Sequence, residues 1–115
     1  MTNSTISGNT ATGDGGGIDN YAYETSSQAT IILTDTVVAD NFAANGGGLA
    51  NYAYQGNAEL ILTNSTVSKN QANTDGGGLL SHADTGTAMV VLTHTSIISN
   101  IADLDANDVG DGGGQ

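Results

Sequence analysis

The acidic segment near the end of the chain carries residue types that bind a hard cation. Its oxygen-bearing side chains are Asp103, Asp105, Asn107, Asp108 and Asp111. Their alternation at 103, 105 and 107 is typical of the start of a calcium loop, in which carboxylates and carbonyls coordinate the ion. The sixth position of such a loop should be Gly and is Asp108, and the twelfth, Gly114, has no carboxylate. The segment is a candidate calcium site, with a solvated turn as the favoured alternative.

A carboxylate or amide precedes each glycine triplet and could form an acidic column. These residues are Asp14, Asn45, Asp75 and Asp111. Glycoside hydrolases use paired carboxylates, but Asp14 and Asp75 are two repeats apart, about 9.6 Å at the spacing of β-strands. The glycine that follows favours capping of a turn instead, and the chain has no Arg to act as the base of a pectate-type lyase. No catalytic residue is predicted, and we expect the chain not to be an enzyme.

Four tyrosines form a candidate patch for a ligand or a partner. They are Tyr21, Tyr23, Tyr52 and Tyr54, at like positions of consecutive repeats. We expect them to stack outward next to Asn20 and Asn51, where they could pack on sugar rings or on a partner protein. Stacked tyrosines also stabilise a sheet, which is the favoured interpretation. His82 and His94 lie on different predicted strands and are expected to be surface residues rather than a relay.

Composition excludes several functional classes. Twelve acidic residues against one basic residue, Lys69, give a net charge of -11, which repels nucleic acid and anionic lipid. The absence of Cys excludes disulfides, thiolate zinc sites and thiol nucleophiles. No stretch reaches the roughly 18 apolar residues of a membrane helix. The N-terminus lacks a basic and apolar signal region, so the chain either stays where it is made or is a piece of a longer exported protein. We favour the second, because the sequence stops at residues 112–115, where other repeats continue into a strand.

These candidate residues are positioned by a repeat of about 30 residues. Asn recurs at Asn9, Asn41, Asn70 and Asn100, at intervals of 32, 29 and 30, and glycine triplets begin at Gly15, Gly46, Gly76 and Gly112. A fixed period of this length indicates stacked units, none of which can bury its apolar face alone. We expect the Asn column to pass amide hydrogen bonds from unit to unit and to tolerate left-handed backbone angles. The glycines should allow positive φ and close chain approach.

Each unit is predicted to contain three short strands with small or aliphatic residues facing inward. The inward sets are Ala29/Ala58/Ala88, Ile31/Leu60/Val90, Leu33/Leu62/Leu92, Ile18/Leu49/Leu79 and Ala22/Ala53/Ala83. Like positions should stack about 4.8 Å apart. An outward stripe, Ile32/Ile61/Val91, is expected to contact another protein or another part of the same chain rather than ice. The pattern predicts one all-β domain, residues 1–115, folded as a parallel β-helix with coils at 3–34, 35–63, 64–93 and a partial fourth at 94–115.

The paired motifs resemble those of a known family. An Ile or Val stands three places before each repeated Asn, and Gly-Gly-Gly-Ile/Leu follows it. This resembles the repeat of chlamydial-type polymorphic outer membrane proteins (Pmp), which pairs F-x-x-N with G-G-A-I/L/V in a right-handed parallel β-helix. The resemblance covers residues 3–115, with Ile or Val in place of Phe and Gly in place of Ala. It implies a right-handed solenoid in a surface-exposed or secreted passenger region, with adhesion as the usual role.

The expected function is that of a non-enzymatic structural or adhesive segment of a bacterial cell-surface or secreted protein. The alternative is part of a polysaccharide-active β-helix, similar to a glycoside hydrolase or a lyase, whose catalytic residues lie outside this chain. Expected partners are a protein or glycan on a host or neighbouring cell, not nucleic acid, and we expect no direct membrane insertion. Open coil edges predict end-to-end self-association. Calcium is the one candidate cofactor.

Overall fold

The computed structural model describes residues 1–103, and within that range the chain forms twelve short strands joined by turns. The strands are β1 (Thr5–Ser7), β2 (Ile18–Ala22), β3 (Gln28–Thr34), β4 (Val37–Ala39), β5 (Phe42–Ala43), β6 (Leu49–Ala53), β7 (Asn57–Thr63), β8 (Thr66–Ser68), β9 (Gln71–Ala72), β10 (Leu79–Ala83), β11 (Thr87–Thr93) and β12 (Ser96–Ile98). The described residues contain no helix that could span a membrane.

All strand pairing is parallel and joins one coil to the next. The strand orders of the four sheets are β1-β4-β8-β12, β2-β6-β10, β3-β7-β11 and β5-β9. Ile6 pairs with Val38, Val38 with Val67, and Val67 with Ile97, so like positions of successive coils lie side by side. The predicted all-β parallel solenoid, with about 30 residues per coil, is confirmed.

Each complete coil contains one more strand than the sequence analysis predicted. In β5 and β9, Phe42 pairs with Gln71 and Ala43 with Ala72. Single bridges continue this sheet on both sides, from Thr10 to Phe42 and from Gln71 to Ile101. A strand of two residues is too short to show alternation of apolar and polar side chains. The pattern therefore could not reveal it.

The interior is a narrow column of aliphatic side chains. Its main buried cluster is Leu33, Val38, Leu49, Leu60, Leu62 and Val67, and a second cluster is Ala22, Ala53 and Ala58. These residues belong to the predicted inward sets or precede the repeated Asn, so the inward face is confirmed. Leu33 and Leu62 are 1% and 0% exposed, whereas Leu92, at the same position of the next coil, is 45% exposed. Among the described strands, β11 has a neighbour on one side only.

The predicted Asn column is present as a continuous ladder. The Nδ2 of Asn9 donates to Oδ1 of Asn41, Asn41 to Asn70, and Asn70 to Asn100, each at 3.0 Å. The expectation that these asparagines adopt left-handed angles is wrong. Positive φ belongs to the residue before each one: Gly8, Asp40, Lys69 and Ser99. The preceding residue turns the chain, and the Asn side chain then points into the coil.

Within each described glycine triplet, the first glycine adopts positive φ and the second allows the close approach of the next coil. The first glycine of each described triplet has positive φ, 64° at Gly15, 59° at Gly46 and 60° at Gly76. The second lies against the next coil, since a Cβ built on Gly47 would be 2.2 Å from the carbonyl oxygen of Gln71. Neither position accepts a side chain without strain or a shift of the backbone.

Candidate functional site

The outer surface of the sheet β2-β6-β10 carries most of the aromatic side chains of the chain. We call this surface the aromatic face, and its members are Tyr21, Tyr23, Tyr52, Tyr54 and His82. Ile18 and Ala22, the first and last residues of β2, point into the core, so alternation along the strand turns Tyr21 outward. The other members follow by the same alternation. In-register pairing then brings Tyr21 next to Tyr52, and Tyr52 next to His82.

The rings of the aromatic face are in contact. The ring centroids of Tyr21 and Tyr52 are 5.0 Å apart, those of Tyr23 and Tyr54 are 5.1 Å apart, and Tyr52 stacks on His82 at 5.0 Å with an interplanar angle of 24°. Tyr21 also contacts Tyr23 at 5.9 Å. These distances lie in the range that aromatic pairs prefer. The predicted stacking of the four tyrosines is confirmed, whereas their role in binding stays a prediction.

His82 is the member of the aromatic face that the sequence analysis missed. It was predicted to be a surface residue and was not included in the tyrosine patch. The signal was present in the spacing, since positions 21, 52 and 82 follow the same intervals as the glycine triplets that precede them. The second imidazole, His94, lies in the bend after β11 with a φ of 48°.

Asn20 and Asn51 do not belong to the aromatic face, contrary to the sequence prediction. They are 4% and 1% exposed, because alternation along β2 and β6 turns the residue before each outward tyrosine into the coil. The Nδ2 of Asn20 donates to Oδ1 of Asn51 at 2.8 Å and to the carbonyl oxygens of Ala29 and Glu59. These amides form a second internal ladder that ties the sheet of β2 to the sheet of β3.

Two carboxylates border the aromatic face on its N-terminal side. Asp14 and Asp19 line a cleft of about 310 Å³ together with Tyr21 and Tyr52. Burial, and then the charge of Asp14, raises the pKa of Asp19 above its ordinary value of 3.8. The pKa of Tyr21 is also raised, by partial burial, then by the neighbouring tyrosines and by Asp19. In both groups burial is the larger cause of the shift and the neighbouring ionisable groups add to it.

The corner residues before the glycine triplets make hydrogen bonds between coils, whereas the sequence analysis expected them to cap their own turns. The Nδ2 of Asn45 donates to Oδ1 of Asp14 at 2.9 Å, and the backbone N–H of Asp75 donates to Oδ1 of Asn45 at 3.3 Å. Asp14 and Asp75 are thus separated by the coil of Asn45 and do not form a catalytic pair. The nearer pair of carboxylates is Asp14 and Asp19, which the sequence analysis did not identify.

The candidate calcium loop falls largely outside the described residues. Asp103 is the last residue described, and its backbone N–H donates to the carbonyl oxygen of Thr74 at 3.1 Å. Asp105, Asn107, Asp108 and Asp111 lie beyond it, so the calcium site stays a prediction. Within residues 1–103 no three His, Asp or Glu side chains are grouped closely enough to hold a metal ion.

A second groove, of about 380 Å³, lies on the outer surface of β3, β7 and β11 and is lined by Gln28, Thr30, Asn57, Ala58, Glu59, Thr87 and Met89. It has no aromatic side chain. The predicted outward stripe runs beside it, with Ile32 and Val91 52% and 39% exposed. The outward direction of this stripe is confirmed, and its role in contacts stays a prediction.

Comparison with known proteins supports the resemblance drawn from the motifs. Residues 3–21 match the Chlamydia polymorphic membrane protein repeat, and this segment contains Ile6, Asn9 and the first glycine triplet. Together with the parallel solenoid, the match confirms a Pmp-like β-helix repeat. That repeat family consists of non-enzymatic surface proteins associated with the outer membrane or cell surface of Chlamydia. No curated protein and no solved structure matches the chain.

Proposed function

We propose that this chain, a surface-protein repeat segment of the Pmp type, is a non-enzymatic adhesive segment of a bacterial cell-surface or secreted protein. It holds the aromatic face in a fixed geometry and presents it to a partner on a host or neighbouring cell. The observation that carries the proposal is the repeat match on a solenoid whose largest exposed rings are gathered on one face.

The geometry of the aromatic face supports contact with a partner. Tyr21 and Tyr23 are 47% and 57% exposed, so each ring has a large area that a partner could bury. Tyrosine is enriched at the centres of protein interfaces, because it offers contact area and a hydroxyl group at a low cost in side-chain entropy. Backbone ladders on both sides of β6 hold the strand that carries Tyr52 in place. The rings are therefore positioned before a partner arrives.

An adhesion assay tests the proposal. Beads coated with the full chain are incubated with cultured epithelial cells and with bacterial cells, and attached beads are counted. The test variant replaces Tyr21, Tyr23, Tyr52 and Tyr54 by Thr, which keeps β-propensity. We expect beads with the unchanged chain to attach and the variant to attach at least ~5-fold less, as for the loss of interface hot spots.

The matched control changes the outward stripe instead of the aromatic face. Ile32→Thr, Ile61→Thr and Val91→Thr remove exposed apolar area from another sheet, and this variant is expected to attach like the unchanged chain. If attachment survives the tyrosine substitutions but is lost in the stripe variant, adhesion belongs to the outward stripe and the role of the aromatic face is contradicted. No attachment to either cell type above uncoated beads would contradict the adhesive function.

A polysaccharide-active protein is the second candidate, favoured by one observation. Asp14 and Asp19 lie together in a cleft walled by Tyr21 and Tyr52, and such clefts can bind sugars. In this alternative the catalytic residues lie outside this chain. This chain would then bind the polymer without cleaving it, so calorimetric titration with neutral and acidic polysaccharides tests the alternative, and no binding in the cleft is expected under the adhesive proposal. Binding that is abolished by Asp14→Asn with Asp19→Asn would favour the polysaccharide-active protein over the adhesive segment.

A further inference from the structure

We propose that the aromatic face binds arginine or lysine side chains of a basic partner protein. This inference rests on the proposed function and names the chemistry of the partner. It starts from the arrangement of charge around the stacked rings, which the adhesive function does not by itself explain.

Carboxylates border the aromatic face on two sides. Asp14 and Asp19 line the cleft beside Tyr21 and Tyr52. Asp84 follows β10 as Tyr54 follows β6: its backbone N–H donates to the carbonyl oxygen of Ala53 at 2.9 Å, as that of Tyr54 donates to Ala22 at 2.9 Å. Asp84 therefore occupies the third position of the column begun by Tyr23 and Tyr54, and it is exposed.

This chain places no Lys or Arg beside that surface. Its single basic side chain, Lys69, lies in the bend after β8, on a different sheet from the aromatic face. Burial is the larger cause of the raised pKa of Asp19, and repulsion by the charge of Asp14 is the second. No Lys or Arg is among the residues that line their cleft. A cation placed between them would relieve this repulsion, so the surface is complementary in charge to a basic partner.

The rings add a second interaction that favours the same class of ligand. A guanidinium or ammonium group lies favourably over the face of a tyrosine ring, and the planar guanidinium can stack on it. The same guanidinium can donate two parallel hydrogen bonds to a carboxylate. Asp19 and Tyr21 line one cleft, so a single arginine could contact a ring and a carboxylate together.

A neutral glycan fits this surface less well. A glycan presents hydroxyl groups, each of which donates and accepts hydrogen bonds, so its site needs side chains that can do both. Two amides beside the tyrosines, Asn20 and Asn51, are buried and donate to carbonyl groups inside the solenoid. The cleft itself is lined by two carboxylates and two phenols. Carboxylates accept hydrogen bonds but do not donate them when ionised.

The test measures binding of a hexa-arginine peptide to the full chain by calorimetry at physiological ionic strength. Two variants address the two halves of the site: Asp14→Asn with Asp19→Asn, and Tyr21→Thr with Tyr52→Thr, which leaves the net charge unchanged. We expect each to weaken binding by ~10-fold. Hexa-lysine should bind more weakly than hexa-arginine, because an ammonium group cannot stack as a plane.

A matched control separates this site from attraction to an acidic protein in general. Asp40→Asn with Glu59→Gln removes the same number of charges from other surfaces and should change affinity by less than ~3-fold. Equal weakening by both charge variants, or no effect of the tyrosine variant, would overturn the inference. So would tighter binding of a neutral cello-oligosaccharide than of the peptide. Thermal melts confirm that every variant is folded.

The peptide titration and the bead assay fail independently. Site-specific peptide binding without attachment of beads to cells would contradict the adhesive function and leave the cation site standing. Attachment that depends on the tyrosines, without discrimination by the peptide, would overturn the cation site alone.

Discussion

Asn70 is fully buried and uses both ends of its side-chain amide. Its Nδ2 donates to Oδ1 of Asn100 and to the carbonyl oxygen of Val38, while its Oδ1 accepts from the backbone N–H and the Nδ2 of Asn41. Every buried polar side-chain atom of the described residues has a partner. Because the core of each coil is narrow, both buried amides and apolar side chains connect one coil to the next.

Replacement of Asn70 by Ala should be strongly destabilising. It leaves the backbone N–H of Asn41 without an acceptor inside the solenoid, and each unsatisfied buried group costs about 1–3 kcal/mol. We expect the free energy of unfolding in urea to fall by about 3 kcal/mol or more. Asn9→Ala is the matched control, because Asn9 ends the ladder and is exposed, so a loss below about 1 kcal/mol is expected. Equal losses would mean that the ladder is not the source of the stability.

Asp19 gives the chain a pH dependence whose sign follows from its raised pKa. Above the pKa of the folded state, the carboxylate is charged in both states and is disfavoured only in the folded one. Below the unfolded value of about 3.8 it is neutral in both. The contribution of Asp19 to stability is therefore unfavourable at neutral pH and is relieved as the pH falls through the raised pKa.

Asp19→Asn should accordingly raise the thermal midpoint at pH 7, and the difference from the unchanged chain should vanish below pH ~3. Melting curves across this range measure it. Asp40→Asn serves as a control of equal charge change on another surface. A midpoint that is lowered by Asp19→Asn at neutral pH would show that the carboxylate is stabilised by the fold, contrary to its raised pKa.

At the scale of residues, the sequence predicted which residues stack in one column better than it predicted which of them are buried. The periodicity correctly identified Asn9, Asn41, Asn70 and Asn100 as one column and the tyrosines as stacked pairs. It placed Asn20 and Asn51 on the surface, because a polar residue beside a tyrosine was interpreted as part of the same patch. Strict alternation along β2, applied to every residue, would have placed them inside, where their amides bridge two sheets.

At the scale of elements, close approach between coils depends on the glycine triplets. Gly47 has no side chain to separate its backbone from β9, and a Cβ there would be 2.2 Å from the carbonyl oxygen of Gln71 and 2.5 Å from that of Gly77. The obstacles are backbone atoms of the next coil, and the carbonyl oxygen of Gly77 accepts from the backbone N–H of Gly48, so they cannot move away without breaking hydrogen bonds.

Gly47→Ala should therefore destabilise the chain by about 3 kcal/mol or more, at or above the upper end of overpacking effects. Gly13→Ala is the matched control: a Cβ there meets nothing within 4 Å, and the change should stay within about 0.5 kcal/mol. Urea unfolding measures both. If the two substitutions had equal effects, the close packing of the triplets on the next coil would be contradicted.

Strand length decided which elements could be predicted. The seven-residue strands β3, β7 and β11 alternate clearly, and their inward columns were all identified. The two-residue strands β5 and β9 carry no such pattern and were missed. They form because the corner between the Asn ladder and the glycine triplet holds two successive coils parallel at hydrogen-bonding distance. This is a tertiary effect that no local propensity encodes.

At the scale of the whole molecule, the period of the sequence determines the fold. Each coil buries only a few aliphatic side chains, so its stability depends on the coils beside it. The exposure of Leu92, compared with Leu33 and Leu62, illustrates this dependence at the end of the described solenoid. End-to-end association through such an edge stays a prediction, as does calcium binding.

The central claim is that like residues of successive coils lie side by side. Because the chain has no Cys, nitroxide labels can be placed at two introduced cysteines, and their spin–spin interaction reports distance. Ile32 and Ile61 are register partners, about 4.8 Å apart at their backbones, whereas Ile32 and Val91 are separated by two coils, about 9.6 Å. The account predicts strong broadening of the spectrum for Ile32→Cys with Ile61→Cys, and much weaker broadening for Ile32→Cys with Val91→Cys. Equal spectra for the two pairs, or no broadening in the first, would contradict the stacked solenoid.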